Sequence, residues 1–352
     1  MSASTTQLED QGTPQASTIR LPNGKIHNVK SNISIEADEI PVIDVSGIYS
    51  EDIEDRKAVA EKVREASHRI GFFYAINHGI DPKYADGAFE QAKRFFALPL
   101  EKKLEVDTAR VPGEFVGYHA MELYSSKERK QGDLSEAFNL AYDANYDPEA
   151  ITDDPSLSIW LPESDLPGFK DGLYAYHTEI LKFARKMTRI FALALHLPEE
   201  FFADYIKRPE AGMRILHYPQ QEYSVDDQNG IGAHTDFECF TMVTQDESSG
   251  LEVLSKSGDW IKAKPIPGSF VINIGDCLMR QTNDFFVSTV HRVINMSGNE
   301  RYSIPFFYGF DRKKILEPVP TCVSEDNPMK YPLMTSGEYY KWRASKAKDG
   351  EL

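Results

Sequence analysis

The chain has 352 residues, 41% hydrophobic, 27% charged and 11% aromatic, proportions that suit an enzyme-sized folded protein and exclude a disordered or fibrous one. Fifty-five acidic residues against 39 basic ones give a net charge of −16, the wrong balance for nucleic acid or an anionic membrane surface. No run approaches the ~18 apolar residues of a membrane helix. The three cysteines, Cys239, Cys277 and Cys322, cannot form a disulfide framework and point to a reducing compartment. The N-terminal stretch has neither a basic region nor an apolar core, and the final DGEL matches no retrieval signal. The expectation is a cytoplasmic monomer or homodimer acting on a small molecule, with no nucleic-acid or membrane partner.

Residues 1–36, rich in Ser, Thr, Gln and Asn, read as a flexible tail or wrapping arm. A β-branched run, Ile40 to Val45, opens the folded part. A helix is predicted from about Asp55, with Val59, Val63, Ala66 and Ile70 on one stripe and Gly71 as its stop. The strand Phe72–Ile76 follows, closed by the turn Asn77-His78-Gly79, and a second helix spans about 81–97. The stretch from about 105 to 170 is irregular, rich in Asp, Pro and Gly, as binding loops often are. Within it, Asp133-Leu134-Ser135-Glu136 reads as a capping box. A long helix at about 168–196 carries Leu173, Tyr176, Ile180, Phe183, Met187 and Ile190 on one face and ends at Pro198.

From Met213 onward short apolar strands alternate with Gly, Pro and Asn turns: MRILHYP, CFTMVTQD, LEVLS, WIKAK, SFVINIG, VSTVHRVIN and RYSIPFFYGF. This pattern predicts an antiparallel sandwich or jelly roll. The fold class is therefore mainly β with flanking helices. The chain divides into a tail (1–36), an α-rich N-terminal module (37–205), a jelly-roll core (206–315) and a C-terminal segment with a helix (316–352).

The chain lacks GxGxxG after a strand, GxxxxGK[ST], HExxH and GxSxG, which lowers the weight of dinucleotide, P-loop, zincin and serine-hydrolase chemistry. It does carry His234-Thr235-Asp236, read as opening a strand, so that positions i and i+2 share a face. His291 lies in a later strand. Two imidazoles and one carboxylate on one face of a metal leave three positions open, an arrangement suited to Fe(II). Ten residues after His291 stands Arg301-Tyr302-Ser303, another i, i+2 pair, whose guanidinium fork and hydroxyl suit bidentate capture of a carboxylate. Apolar neighbours around Arg301 predict its burial, and a buried guanidinium needs an anionic partner.

In this ordered set, HxD…H…RxS, the chain resembles the 2-oxoglutarate/Fe(II)-dependent dioxygenase superfamily, in its isopenicillin N synthase-like branch. The resemblance covers about residues 40–345 and runs through IPVIDVSG, RIGFFYAINHGI, MRILHYP, GAHTDFECFTMVTQD, VSTVHRV and RYSIPFFYGFD. It implies a double-stranded β-helix core and a cosubstrate, 2-oxoglutarate, consumed with O2. His234, Asp236 and His291 occupy iron-ligand positions. Arg301, Ser303 and Tyr218 occupy those that bind the distal carboxylate of 2-oxoglutarate. Leu216 replaces an Asn common among relatives, which removes any cosubstrate contact made by that residue. Arg214, on the strand face of Leu216 and Tyr218, is a candidate substrate contact. By the same resemblance Phe237 and Phe307 wall the pocket and Tyr118 lies on a substrate-binding segment, with His119, Gln281 and Asn283 as weaker polar candidates. His217 points to the opposite face, and Cys239 and Cys277 read as small apolar fillers.

The implied reaction converts 2-oxoglutarate to succinate and carbon dioxide while a small, moderately apolar metabolite of specialised metabolism is hydroxylated, desaturated or cyclised. Three alternatives stand beside it: an oxidase that uses iron without 2-oxoglutarate, a non-catalytic jelly-roll binding protein, and a zinc hydrolase.

Overall fold

The computed structural model describes residues 17–20, 24–30, 34–36, 39–121, 132–151, 156–221, 229–295 and 297–348. The chain opens with β1 (Ser17–Arg20), β2 (Ile26–Val29), β3 (Ser34–Ile35) and β4 (Val42–Asp44), followed by α1 (Ile53–Arg69), β5 (Phe72–Ile76), α2 (Pro82–Phe96) and α3 (Leu100–Leu104). Next come β6 (Gly117–His119), β7 (Glu136–Leu140) and the long α4 (Phe169–Ala194). The catalytic half contains β8 (Glu210–Tyr218), β9 (Ile231–His234), β10 (Phe240–Gln245), β11 (Leu251–Leu254), β12 (Trp260–Lys262) and β13 (Phe270–Ile274). It finishes with α5 (Asp276–Gln281), β14 (His291–Val293), β15 (Arg301–Gly309) and α6 (Ser336–Lys348).

Two sheets build the core. The larger has the order β4-β5-β13-β10-β15-β8-β7-β6 and the smaller β3-β12-β11-β14-β9. Side chains alternate across the large sheet as the period of two requires. On β15, Ile304, Phe306 and Tyr308 face the helices, while Ser303, Pro305 and Phe307 line the interior cavity. On β8, Met213 and Ile215 join the helix-side core, whereas Leu216 and Tyr218 belong to the cluster between the sheets. The helix stripe read from the sequence packs here: Leu173, Tyr176, Ile180, Phe183, Met187 and Ile190 of α4 are all buried in the larger core.

The helix boundaries follow local chemistry. Asp52 and Asp81 cap α1 and α2 by accepting from the backbone N–H of Glu54 and Lys83. Gly71 ends α1 at φ 71°, a left-handed value that only glycine adopts cheaply.

Three expectations need correction. The flexible tail is in part structured, because β1 and β2 pair antiparallel and β3 adds in parallel to β12. Val29 is buried beside Leu254, Trp260 and Val290, and this apolar contact offsets the entropy of ordering the arm. The capping box at Asp133–Glu136 is not one: Glu136 begins β7. Its buried carboxylate accepts from Lys103 at 2.6 Å and from the Tyr118 hydroxyl at 2.7 Å, and it meets His217 Nδ1 at 2.9 Å. Burial works against that charge, but these partners hold Glu136 below the usual carboxylate range. Finally, the irregular stretch supplies β6 and β7 to the edge of the large sheet; its residues 122–131 and 152–155 lie outside the described residues.

The helix-to-sheet core predicts a specific stability difference. Phe306 is fully buried and stands edge-on to His177 of α4 at 5.1 Å. Phe306→Ala should lower unfolding free energy by about 3–5 kcal/mol in denaturant titration. Leu333→Ala, at a position 52% exposed, should change it by less than about 0.5 kcal/mol.

Candidate active site

The register of the small sheet brings the two histidines together. His291 on β14 pairs directly with His234 on β9, with ring centroids 4.2 Å apart. Each ring is oriented through its Nδ1, which lies 2.8 Å from the Gly232 carbonyl in His234 and 3.1 Å from the Thr289 carbonyl in His291. An Nδ1–H donated to a carbonyl leaves the Nε2 lone pair free for a metal. Both Nε2 atoms lie 3.6 Å from Asp236 Oδ1.

Asp236 does not share a strand with His234, contrary to the sequence expectation. β9 ends at His234, and Asp236 sits in the turn before β10. The turn is clamped from α5: Asp276 N–H donates to the Asp236 carbonyl at 2.9 Å. A Cβ on Gly275 would approach the Glu238 carbonyl to 2.2 Å, so only glycine permits this approach. The carboxylate is then aimed by the large sheet. Asp236 Oδ2 accepts from Thr241 Oγ1 of β10 at 2.5 Å and from Asn273 Nδ2 of β13 at 2.7 Å. Oδ1 remains for a cation.

This donor set fits a divalent transition metal. The three ligand atoms lie within 4.8 Å of one another, and each Nε2 is 3.6 Å from Asp236 Oδ1, a spacing that can surround one cation. No other such group of His, Cys, Asp and Glu occurs among the described residues. Burial and the neighbouring His291 lower the His234 pKa to about 4, so its imidazole is neutral at pH 7. Burial would raise Asp236, yet the two imidazoles and its hydrogen bonds hold it well below the usual carboxylate range. Burial would lower His291, but Asp236 raises it.

The triad opens onto a cavity of about 300 Å³ lined by β8, β9, β10, β14, β15 and the segment around Phe115. At one end Arg301 is 1% exposed. Its Nη2 donates to Gln245 Oε1 at 3.1 Å, its Nη1 lies 3.4 Å from Ser303 Oγ, and its guanidinium stacks over the Tyr218 ring at 4.7 Å. It has no carboxylate partner among the described residues, and its buried Nε is unsatisfied. A buried cation without an anion is costly, so this end of the cavity is built to receive one. Ser303 and Arg301 stand opposite Leu216 and Tyr218, respectively, in the β15–β8 register. Leu216, buried at 2%, presents an apolar wall there.

Arg214, Phe237 and Phe307 line the cavity beyond the triad. Tyr118 does not: its ring is buried in the larger core and its hydroxyl is bound to Glu136. The segment reaches the cavity instead through Phe115 and Val116. His119 stacks on Phe115, and Asn283 binds the carbonyls of Cys322 and Pro328, so neither lines the cavity, nor does Gln281. His217 faces away, as expected, toward Glu136 and Tyr302. Cys239 and Cys277 are buried with sulfurs 3.6 Å apart.

The supports of the site are not visible in the sequence. Thr241 and Asn273 look like ordinary strand polars, although both are buried and Asn273 stands in a strand that is otherwise apolar. Arg343 of α6 donates to Asp276 Oδ2 at 3.0 Å and to Thr235 Oγ1 at 3.1 Å, tying the C-terminal helix to the metal-site turn. Glu238 follows Phe237 into the cavity, where burial and Asp236 push its pKa up to about 8.

Known proteins match this arrangement. Residues 209–310 match the 2OG-Fe(II) oxygenase superfamily, and residues 40–163 match the non-haem dioxygenase in morphine synthesis N-terminal family. The chain is 37% identical over 344 residues to the 2-oxoglutarate-Fe(II) type oxidoreductase ppzC of Metarhizium rileyi, covering 91% of this chain and 92% of the relative. It is 35% identical to azadirone synthase LFS of Melia azedarach, over 80% of this chain and 86% of that one. The crystal structure of a full-length Neurospora crassa protein in complex with alpha-KG and thymine superposes with a TM-score of 0.79 at 28% identity, covering 88% of this chain and 98% of the other. The chain belongs to the 2-oxoglutarate/Fe(II)-dependent oxygenase superfamily. It is a dioxygenase with a jelly-roll core that uses Fe(II), 2-oxoglutarate and O2. No helix among the described residues is long and apolar enough to cross a membrane.

The grip on Asp236 is open to measurement. Thr241→Val removes one of the two donors to Oδ2 with little change in volume. It should weaken Fe(II) affinity about 10–100-fold, the usual effect of losing a ligand's hydrogen-bond partner, as read by anaerobic metal titration.

Proposed function

We propose that His234, Asp236 and His291 hold Fe(II), that Arg301, Ser303 and Tyr218 anchor the distal carboxylate of 2-oxoglutarate, and that Arg214, Phe237 and Phe307 contact the substrate. The observation that carries this reading is the buried Arg301 without an anion, in the same cavity as the triad. Bound iron, with 2-oxoglutarate and O2, supplies the oxidising power; 2-oxoglutarate leaves as succinate and carbon dioxide.

The protein's own contribution is orientation and shielding. The Arg301 fork and the Ser303 hydroxyl fix one end of the cosubstrate, and the Tyr218 ring under the guanidinium holds the fork in place. Leu216, Val243 and Pro305 wall the middle of the cavity and keep water from the reacting carbon. Phe237 and Phe307 give the substrate an apolar berth. Arg214 lies on the same β8 face as Leu216 and Tyr218, four residues before Tyr218. That places its backbone about 13 Å from Tyr218 at the rise of an extended strand, a distance suited to the substrate rather than the cosubstrate. The substrate class is a small, moderately apolar metabolite, to be hydroxylated, desaturated or cyclised.

Arg301→Ala should weaken 2-oxoglutarate binding by about 3–5 kcal/mol, the loss expected when one partner of a buried ion pair is removed. Arg301→Lys should recover only part of it, lacking the planar fork. Anaerobic titration of the Fe(II) protein with 2-oxoglutarate measures both, and equal affinity in wild type and Arg301→Ala refutes the assignment. Arg214→Met keeps much of the stem and deletes the charge. It should weaken coupling of succinate formation to substrate oxidation while uncoupled decarboxylation persists, as followed by mass spectrometry of both products.

A further inference from the structure

We propose that Gln245 is a positioning residue for the cosubstrate: its neutral carboxamide holds the Arg301 fork in place and leaves the positive charge for the distal carboxylate of 2-oxoglutarate. The inference rests on the reading above that Arg301 receives that carboxylate, and deepens it.

The contacts that hold Arg301 among the described residues are uncharged. Gln245 Oε1 accepts from Nη2 at 3.1 Å, Ser303 Oγ lies 3.4 Å from Nη1, and the Tyr218 ring packs against the guanidinium at 4.7 Å. Gly250 also packs close, since a Cβ there would stand 3.3 Å from Arg301 Cδ and 3.4 Å from Nε. The fork is thus gripped at both ends and along its stem without meeting an anion.

The pairing of β10 with β15 produces this arrangement. Gln245 stands directly opposite Ser303, and direct partners in an antiparallel pair share a face. Gln245, Ser303 and Arg301 therefore lie on one side. The two carboxylates next to them in sequence are committed elsewhere. Asp246 accepts from the Tyr302 N–H at 2.6 Å and from the Ser248 N–H at 2.9 Å. Glu300 accepts from the Tyr302 hydroxyl at 3.2 Å. A slip of one residue in β10 would turn Asp246 toward Arg301 and neutralise it.

Gln245 is not a choice made for stability. Its Nε2 is buried and has no partner, and an orphaned buried donor is destabilising. A carboxylate in its place would give Arg301 an ion pair in the empty protein, but that carboxylate would compete with the cosubstrate for the same fork. A carboxamide supplies the acceptor that orients the guanidinium and leaves its charge unpaired.

The test titrates the anaerobic Fe(II) protein with 2-oxoglutarate and with 2-oxopentanoate, which carries a methyl group in place of the distal carboxylate. The wild type should prefer 2-oxoglutarate about 100-fold or more, the scale of a buried ion pair. In Gln245→Glu that preference should fall by about 100-fold. In Gln245→Met, which removes the acceptor and adds no charge, it should fall by about tenfold. Affinity for 2-oxopentanoate should stay within about twofold of wild type in both variants, so a general loss of structure does not mimic the result. A merely structural role predicts the opposite order, because Glu keeps the shape and the acceptor of Gln and Met does not. A preference in Gln245→Glu equal to or greater than that in Gln245→Met overturns the proposal. If Gln245→Glu does not fold, an unchanged preference in Gln245→Met overturns it alone. Failure of the underlying reading has a separate sign: the wild type would then bind the two acids equally.

Discussion

One carboxylate joins the two sheets of this protein. Asp236 Oδ2 is held by Thr241 and Asn273, which are themselves register partners on β10 and β13 of the large sheet. Its other oxygen faces two imidazoles carried by the small sheet. The metal site is therefore a junction: it forms only where the sheets meet at the correct spacing, and a bound cation in turn ties the sheets together. The turn carrying Asp236 is kept in place by backbone hydrogen bonds from the start of α5 and by Arg343 reaching in from α6 through Thr235 and Asp276. The C-terminal helix is thus a structural part of the metal centre despite lying far from His234 in the chain.

The remainder of the cavity is arranged around that junction by strand periodicity. Because alternate residues of β8, β10 and β15 face inward, each strand supplies both helix-side core and cavity wall. Arg301 and Ser303 stand on one face of β15 at the deep end, with Phe307 farther along. The result is a cavity with Arg301 at its deep end, the His234–Asp236–His291 triad in its side wall, and Glu114, Glu210, Glu238 and Arg312 at the other end.

Much of this is legible in the sequence because it rests on local patterns. The α4 stripe, the α1 stop at Gly71 and the short strands of the catalytic half each carry a period or a turn signal within a few residues. The triad and the Arg301–Ser303 pair are visible because HxD, a later His and RxS stand in a fixed order. What the sequence hides depends on contacts between residues distant in the chain. Thr241 and Asn273 gain meaning only when β10 and β13 pair, and Arg343 only when α6 docks. Tyr118 is the opposite case: its segment does border the cavity, but the pleat of β6 turns its ring into the core and its hydroxyl toward Glu136. Asp236 does stand beside His234, but strand alternation is not the reason, since the strand ends between them. The tail is polar in composition and so reads as flexible, while its anchors, Val29 and Ile19 beside Trp260 and the pairing of β3 with β12, depend on contacts far along the chain.

The account stands or falls on the deep end of the cavity. The most direct measurement is a crystal structure of the anaerobic Fe(II)–2-oxoglutarate complex of the full chain. It should show the metal on His234 Nε2, Asp236 Oδ1 and His291 Nε2, with the distal carboxylate of 2-oxoglutarate paired to the Arg301 fork and within hydrogen-bond reach of Ser303 and Tyr218. A distal carboxylate bound anywhere else, with Arg301 still unpaired, would contradict it.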